Sequence, residues 1–434
     1  MMATPETGLL GVLALLVLLL LGMPIGAALG LVGISGLTLV LGFEPALIKT
    51  GSLVFETLTR YELGTLPLFL LMAQLCFASD ASRHLFDAAS SWMGHRRGGL
   101  AYASIAGCSG FSAINGSSLA TAATIGLVAI PEMRRHGYSD ALATGTVAAG
   151  GTLGQMIPPS GALIVFGIIA QQSIGTLFTA AVIPGLTQML LYFIVIALLV
   201  RWKPALAPST PRADWATRWA TLGKIPDLLL LMLVVIGGIV FGWFTPSEAA
   251  SVGVAGALLG SLWRRRLGWR ELYVALEETL KTSGLIYTVV IGTLVFSVFI
   301  SVTGLADAAG ATITGMGAGR VVTVMLMALF LLLLGSLLDG LALMLLATPI
   351  LLPVVTSLGL SPIWFGIFIV RAMEIGFIHP PMGMNLYVIQ GVAPDVPLWR
   401  IFRGVLPFLA ADFVHLLLLI LFPALALALP AWLA

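Results

Sequence analysis

Charge is what this sequence lacks. Only 9% of its 434 residues are Asp, Glu, Lys or Arg, against about a quarter in a soluble domain. So few charges cannot cover a water-facing surface, which excludes a soluble enzyme, a nucleic-acid binder and a disordered scaffold. The net charge of +2 is too small to imply an acidic partner. Cysteine is scarce as well. Cys76 and Cys108 sit among apolar or small residues with no CxxC spacing, and read as buried packing thiols. No Walker A motif is present, so ATP hydrolysis is not built in, and no HExxH or other catalytic metal spacing occurs. Met1–Thr7 holds no Lys or Arg, and no small-residue cleavage site follows Leu9–Leu21. That start reads as a first spanning helix, not a removed signal.

Apolar residues fill the chain instead, at 59% of the total with a mean hydropathy of +1.07. This is the composition of an integral membrane protein. A span needs about 20 apolar residues, leaving room for about a dozen. The 49 glycines and 23 prolines point to close helix packing and interrupted helices, as transporters use around a central site. Apolar segments fall at 8–21, 25–42, 62–79, 140–155, 160–171, 176–200, 227–243, 246–262, 283–303, 320–338, 362–376, 383–393 and 404–430. Several are too short to cross alone and should pair as broken or re-entrant elements. Between 100 and 130 the chain turns to Gly, Ser, Ala and Thr, which suits backbone buried inside protein.

The long polar stretch 201–224 (RWKPALAPSTPRADWATRWATLGK) reads as a linker between two halves, 1–200 and 225–434. It is partly an interfacial amphipathic helix, and its basic residues place it in the cytoplasm. The halves repeat. Pro131 and Pro353 differ by 222 (353 − 131), and the same offset relates Gly137 to Gly359, Gly154 to Gly376, Pro158 to Pro380, Pro159 to Pro381, Gly161 to Gly383 and Pro24 to Pro246. A constant offset through Pro-Pro-x-Gly and distant prolines is a duplication signature. Charge suggests that the repeat is inverted. Arg134-Arg135-His136 corresponds to Thr356-Ser357-Leu358, and Arg264–Arg266 to Gly42–Glu44, whereas Arg96-Arg97 near the equivalent of Arg320 disagrees. The expected fold is an all-α polytopic membrane protein, an inverted repeat whose two hairpins lie near 100–130 and 325–353, with its site where the halves meet.

Three stretches could carry chemistry. Ser109–Ser118 (SGFSAINGSS) offers hard oxygens suited to Na+, and free N–H groups at a half-helix start, which favour an anion. Ala149–Ser160 (AGGTLGQMIPPS) combines glycines that loosen a helix with prolines that stop it, freeing carbonyls that need a partner. The second half supplies GSLLDG at 335–340 and RAMEIGFIHPPMGMN at 371–385. Asp339 is equivalent to Ser117 and falls at the second hairpin tip. Arg371 and Glu374 are spaced i, i+3; either they pair with each other or Arg371 faces an anionic substrate. Glu248 in Thr245-Pro246-Ser247-Glu248 reads as a helix cap.

With these residues in hand, the chain resembles the large membrane subunit of TRAP transporters (tripartite ATP-independent periplasmic), the DctM type. The resemblance covers nearly the whole chain. Its specific parts are NGSSLATAATIG…IPEMRRHGYS, GTLGQMIPPS, SIGTLFTAAVIPG, FTPSEAAS and EIGFIHPPMGMNLYVIQGVAPDVP. It implies an elevator-type ion transporter fold with two re-entrant hairpins in the bacterial inner membrane. The implied activity is Na+-coupled import of an organic anion such as a carboxylate, with no enzymatic step and no cofactor beyond the coupling ion. The implied partners are a small four-helix membrane subunit, encoded separately, and a periplasmic solute-binding protein. The Na+ ligands it implies are Ser109, Asn115, Ser117 or Ser118 with carbonyls near Gly150–Thr152, and Gly335, Ser336 or Asp339 with Met373, Glu374 and Gly376. The substrate would then meet Arg371, Ser117, Pro159, Ser160, Pro381, Gly383 and Asn385. His379 and Asn115 depart from the commonest family pattern. A one-component Na+-coupled divalent-anion symporter of similar architecture is the alternative.

Overall fold

The computed structural model describes residues 4–78, 80–264, 267–315, 319–335, 338–380 and 383–433. Among them there are helices and connections but no strand. The first half holds α1 (Pro5–Leu20), α2 (Ile25–Leu41), α3 (Phe43–Thr59), α4 (Thr65–Ala78), α5 (Ala81–Met93), α6 (Gly99–Asn115), α7 (Ser118–Arg135), α8 (Asp140–Met156), α9 (Gly161–Ala170) and α10 (Ile174–Trp202). The linker contributes α11 (Trp215–Leu222). The second half holds α12 (Pro226–Val240), α13 (Pro246–Trp263), α14 (Trp269–Thr303), α15 (Leu305–Gly315), α16 (Arg320–Gly335), α17 (Gly340–Ser357), α18 (Pro362–Ile378), α19 (Met384–Val392), α20 (Leu398–Leu421) and α21 (Ala424–Leu433).

Helix ends recur at the offset seen in the sequence. α7 and α17 begin and end 222 residues apart, and so do α8 and α18. The halves differ where a proline intervenes. Pro67 has no N–H and its ring clashes with a helical carbonyl four residues earlier, so α3 and α4 are separated by the short turn Tyr61–Gly64. The counterpart of Pro67 is Val289, and α14 runs unbroken for 35 residues, roughly 52 Å. The apolar segment 404–430 is two helices, not one, because the chain breaks at Phe422-Pro423. Beside the Gly/Ser-rich α6 and α7 and the linker helix α11, α3, α5, α15 and α17 fall outside the apolar segments, although α17 is long and apolar enough to cross a membrane.

Among the described residues, five helical stretches are long and apolar enough to cross a membrane: Asp140–Ala170, Ile174–Trp202, Trp269–Thr303, Gly340–Ser357 and Leu398–Leu421. The chain is an all-α, multi-pass membrane protein. α8 is nearly all buried, and α6, α7, α18 and α20 pack around it. Small residues make this possible. A Cβ on Gly404 of α20 would collide with the carbonyl of Ala141 on α8, so the two backbones touch. A second group joins α14 to α2 and α13 to α4. There a Cβ on Gly33 would lie 2.8 Å from the backbone nitrogen of Phe296. At the start of α13, Thr245 and Glu248 form the capping box read from the sequence.

Candidate functional site

The helices α6 and α7 are two arms of one hairpin. Both feet rest on the linker: Gly98 N–H donates to the Ala207 carbonyl at 3.2 Å, and Ser139 N–H to the Leu206 carbonyl at 3.1 Å. The feet also meet each other, since Leu100 N–H donates to the Tyr138 hydroxyl at 3.1 Å. The tip is a tight turn. Asn115 Oδ1 accepts from Ser117 N–H at 2.5 Å, Gly116 takes a φ of +62°, and Ser117 Oγ caps α7 by accepting from Ala120 N–H at 3.4 Å.

This tip abuts the break between α8 and α9. The Gly116 carbonyl accepts from Gly161 N–H at 3.3 Å, and a Cβ on Gly116 would strike the Pro159 carbonyl. The Pro158–Pro159 peptide is cis. Ser160 caps α9 by accepting from Leu163 N–H at 3.4 Å. Ser118 bonds Asn385 from the second half, and Asn385 Nδ2 also donates to the Ala148 carbonyl at 3.0 Å. Gly151 and Gly154 let α8 pass against the backbone of Ser117 and Ser118. The structure thus gathers Asn115, Ser117, Ser118, Pro159, Ser160 and Asn385 at one junction.

The second junction repeats the plan. Asp339 occupies the N-cap of α17, its Oδ1 accepting from Leu341 N–H at 2.9 Å and Ala342 N–H at 3.1 Å. A Cβ on Gly376 of α18 would lie 3.0 Å from the Gly335 carbonyl at the end of α16. A Cβ on Gly340 would strike the Met373 side chain. Gly383 starts α19 in the left-handed region. Ser336 and Pro381 lie outside the described residues.

Other candidates sit elsewhere. Ser109 Oγ turns back to the Ile105 carbonyl of its own helix at 2.9 Å, short of the tip. Gly150 faces Cys108, not the tip. Thr152 belongs to a separate, fully buried polar node. Its Oγ1 lies 2.9 Å from the Tyr192 hydroxyl, and Gln188 Nε2 donates to both, at 3.0 and 3.2 Å. Arg371 pairs with both Glu374 and Asp412, all with no exposed surface. Both readings of Arg371 left open by its spacing therefore meet one fact: its charge is already matched by two carboxylates. Buried charge at membrane depth demands such pairing.

Gln188, Tyr192 and Asp412 were not singled out from the sequence. Asp412 had a readable signal, an ionisable residue inside the apolar run of α20. Gln188 and Tyr192 had none beyond polarity within a long apolar helix.

Comparison with known proteins fits this architecture. Residues 12–425 match the family model described as "Tripartite ATP-independent periplasmic transporter, DctM component". The C4-dicarboxylate TRAP transporter large permease protein DctM of Pseudomonas aeruginosa is 36% identical, the alignment covering 92% of this chain and 94% of that protein. The sialic acid TRAP transporter large permease protein SiaM of Vibrio cholerae is 32% identical over 95% of this chain and 96% of that one. Among solved structures, the Alcanivorax borkumensis YdaH transporter superposes with a TM-score of 0.60 at 15% identity, covering 97% of this chain and 98% of that one. Its low identity makes this a likeness of fold alone. With its family model spanning nearly the full length and its relatives aligned end to end, the chain belongs to the DctM family of TRAP transporter large permease proteins.

Proposed function

We propose that this protein is the large membrane subunit of a Na+-coupled secondary transporter in the bacterial inner membrane. It imports an organic anion bearing a carboxylate, delivered by a periplasmic solute-binding protein, and works with a small four-helix membrane subunit. The names of its relatives support the substrate class, C4-dicarboxylate for one and sialic acid for another.

The observation that carries this reading is the pair of junctions, each joining a hairpin tip to a broken helix with oxygen donors at the seam. At the first, the backbone of Ser117 and Ser118 stands against Gly151 and Gly154 of α8, with Asn115 in the same tip turn. At the second, the Gly335 carbonyl stands against Gly376 and Gly340 against Met373, with Asp339 capping the start of α17 next to Gly340. Hard oxygen donors of this kind suit Na+ as a transported ion. The half-helix starts at Ser117 and Ser160 turn N–H groups toward the seam, which favours a carboxylate near Ser117, Pro159, Ser160, Asn385 and Gly383.

The mechanism follows from electrostatics. A bare carboxylate crossing lipid is costly, and Na+ with half-helix dipoles cancels its charge. The hairpins, α8, α9, α18 and α19 then move as one elevator against the group built on α2, α13 and α14. Two inverted halves, 1–200 and 225–434, joined by the linker 201–224, supply the alternating access. The feet of α6–α7, both tied to the linker, support a re-entrant course for that hairpin. The test is uptake into proteoliposomes containing both membrane subunits, with the binding protein outside. Accumulation that requires an inward Na+ gradient and the binding protein supports the reading. Uptake without the binding protein would favour a one-component symporter.

A further inference from the structure

We propose that the patch formed by Trp92, His95, Arg96, Arg212 and Arg218, where α5 meets the linker helix α11, is a binding site for the phosphate headgroup of an anionic phospholipid.

Four polar nitrogens in this one cluster are buried and lack a hydrogen-bond partner: Trp92 Nε1, His95 Nδ1, and Nε and Nη2 of Arg218. Arg218 is 4% exposed. Its guanidinium lies 5.7 Å from the Trp92 ring centre and 5.1 Å from that of Trp215. Trp92 in turn meets Trp215 and Trp219 edge-on, at 6.1 and 5.9 Å. A buried guanidinium short of acceptors is costly, and an oxyanion supplies what is missing.

Charge agrees. Arg96, Arg97 and Arg212 are exposed nearby, and none of these three or Arg218 forms an ion pair with any described residue. The acid closest in sequence, Asp214, is committed as the N-cap of α11, accepting from Thr217 N–H at 3.3 Å. Partial burial, then Arg218, Arg212 and Arg96, hold the His95 imidazole below its ordinary range. Three guanidinium groups in one cluster, none ion-paired with a described residue, are a site short of negative charge.

The lipid source, as opposed to free phosphate, follows from the aromatics. Trp215 and Trp219 are 60% and 63% exposed on α11. Tryptophan beside arginine is the composition of a membrane interface, and the basic linker marks its cytoplasmic side. The location also matters to the hairpin. Thr210 N–H donates to the Gly94 carbonyl at 3.2 Å, and Ser91 meets Thr221 at 2.8 Å, so an occupant would brace the strap holding the feet of α6–α7.

The test uses the purified full chain in mild detergent and titrates phosphatidylglycerol, phosphatidylcholine or inorganic phosphate while following Tm. Phosphatidylglycerol should raise Tm in a saturable way and phosphatidylcholine should not. Replacing Arg212 or Arg218 by Gln should weaken the apparent affinity about fivefold each, the size expected of one interfacial cation. Arg60→Gln, on a turn remote from the patch in sequence, should change nothing. Should Arg218→Gln fail to fold, the exposed variants Arg96→Gln and Arg212→Gln carry the test, and His95 should titrate higher when phosphatidylglycerol is present. An equal response to phosphatidylcholine, a response to inorganic phosphate alone, or full affinity in the Arg212 and Arg96 variants would overturn the proposal.

Discussion

Ser118 and Asn385 stand 267 positions apart in the chain, yet Asn385 Nδ2 donates to Ser118 Oγ at 2.9 Å in a fully buried setting. That bond ties the first hairpin to the start of α19. Because Asn385 also holds the Ala148 carbonyl, Asn385→Ala leaves two acceptors without their donor. We expect a loss of about 1–3 kcal/mol in stability. Ser118→Ala removes one partner and should cost less. Thermal unfolding of both variants in detergent checks the order; equal losses would show that the Ala148 bond contributes nothing.

Asp339 has two duties that one pair of substitutions can separate. As the N-cap of α17, it is replaceable by Asn, a cap of similar strength, whereas Asp339→Ala should cost about 1 kcal/mol. As a Na+ ligand it needs its charge. Asp339→Asn should therefore keep near-normal Tm while raising the Na+ concentration for half-maximal uptake at least tenfold. Unchanged Na+ dependence in that variant would reduce Asp339 to a cap.

Arg371 neutralises two buried carboxylates, so Arg371→Ala should destabilise by about 3–5 kcal/mol. The triple change Arg371→Met, Glu374→Gln and Asp412→Asn removes every charge together and should recover most of that loss. Thermal melts of the single and triple variants decide the matter. A triple variant no more stable than Arg371→Ala would mean that shape, not charge balance, governs the node.

Gly116 is held in a left-handed turn with the Pro159 carbonyl against its Cα. Gly116→Ala adds both backbone strain and a clash. Uptake should fall at least tenfold while the purified protein remains folded, because the strain is confined to the hairpin tip. Wild-type uptake in this variant would remove the tip from the transport path.

Arg134 joins the foot of α7 to the α19–α20 loop through Asp395, at 3.1 and 2.5 Å. That hydrogen bond holds the Asp395 carboxyl below its ordinary value. A depressed pKa in the folded state means stability present above about pH 3.9 and lost as pH falls below it. Wild type and Asp395→Asn should thus differ in Tm near neutrality and converge in acid. A constant difference across pH would assign the effect to something other than this ion pair.

Much of the protein is legible in its sequence for local reasons. Low charge and long apolar runs fix a membrane protein, because hydrocarbon rejects charge whatever the fold. Pro158-Pro159 fixes where α8 stops, since a missing N–H acts within one turn, whereas Gly150 and Gly151 stay inside that helix. The 222-residue offset appears in sequence and helix ends alike, as duplicated chains break at duplicated prolines. Tertiary structure alone decided the pairings. That Arg371 meets Asp412 as well as Glu374, that both hairpin feet rest on the linker, and that Arg218 lies between Trp92 and Trp215 depend on residues far apart in the chain. No periodicity records such neighbours; they are set by which helix faces meet once the chain is packed, as where α18 meets α20 and α5 meets α11.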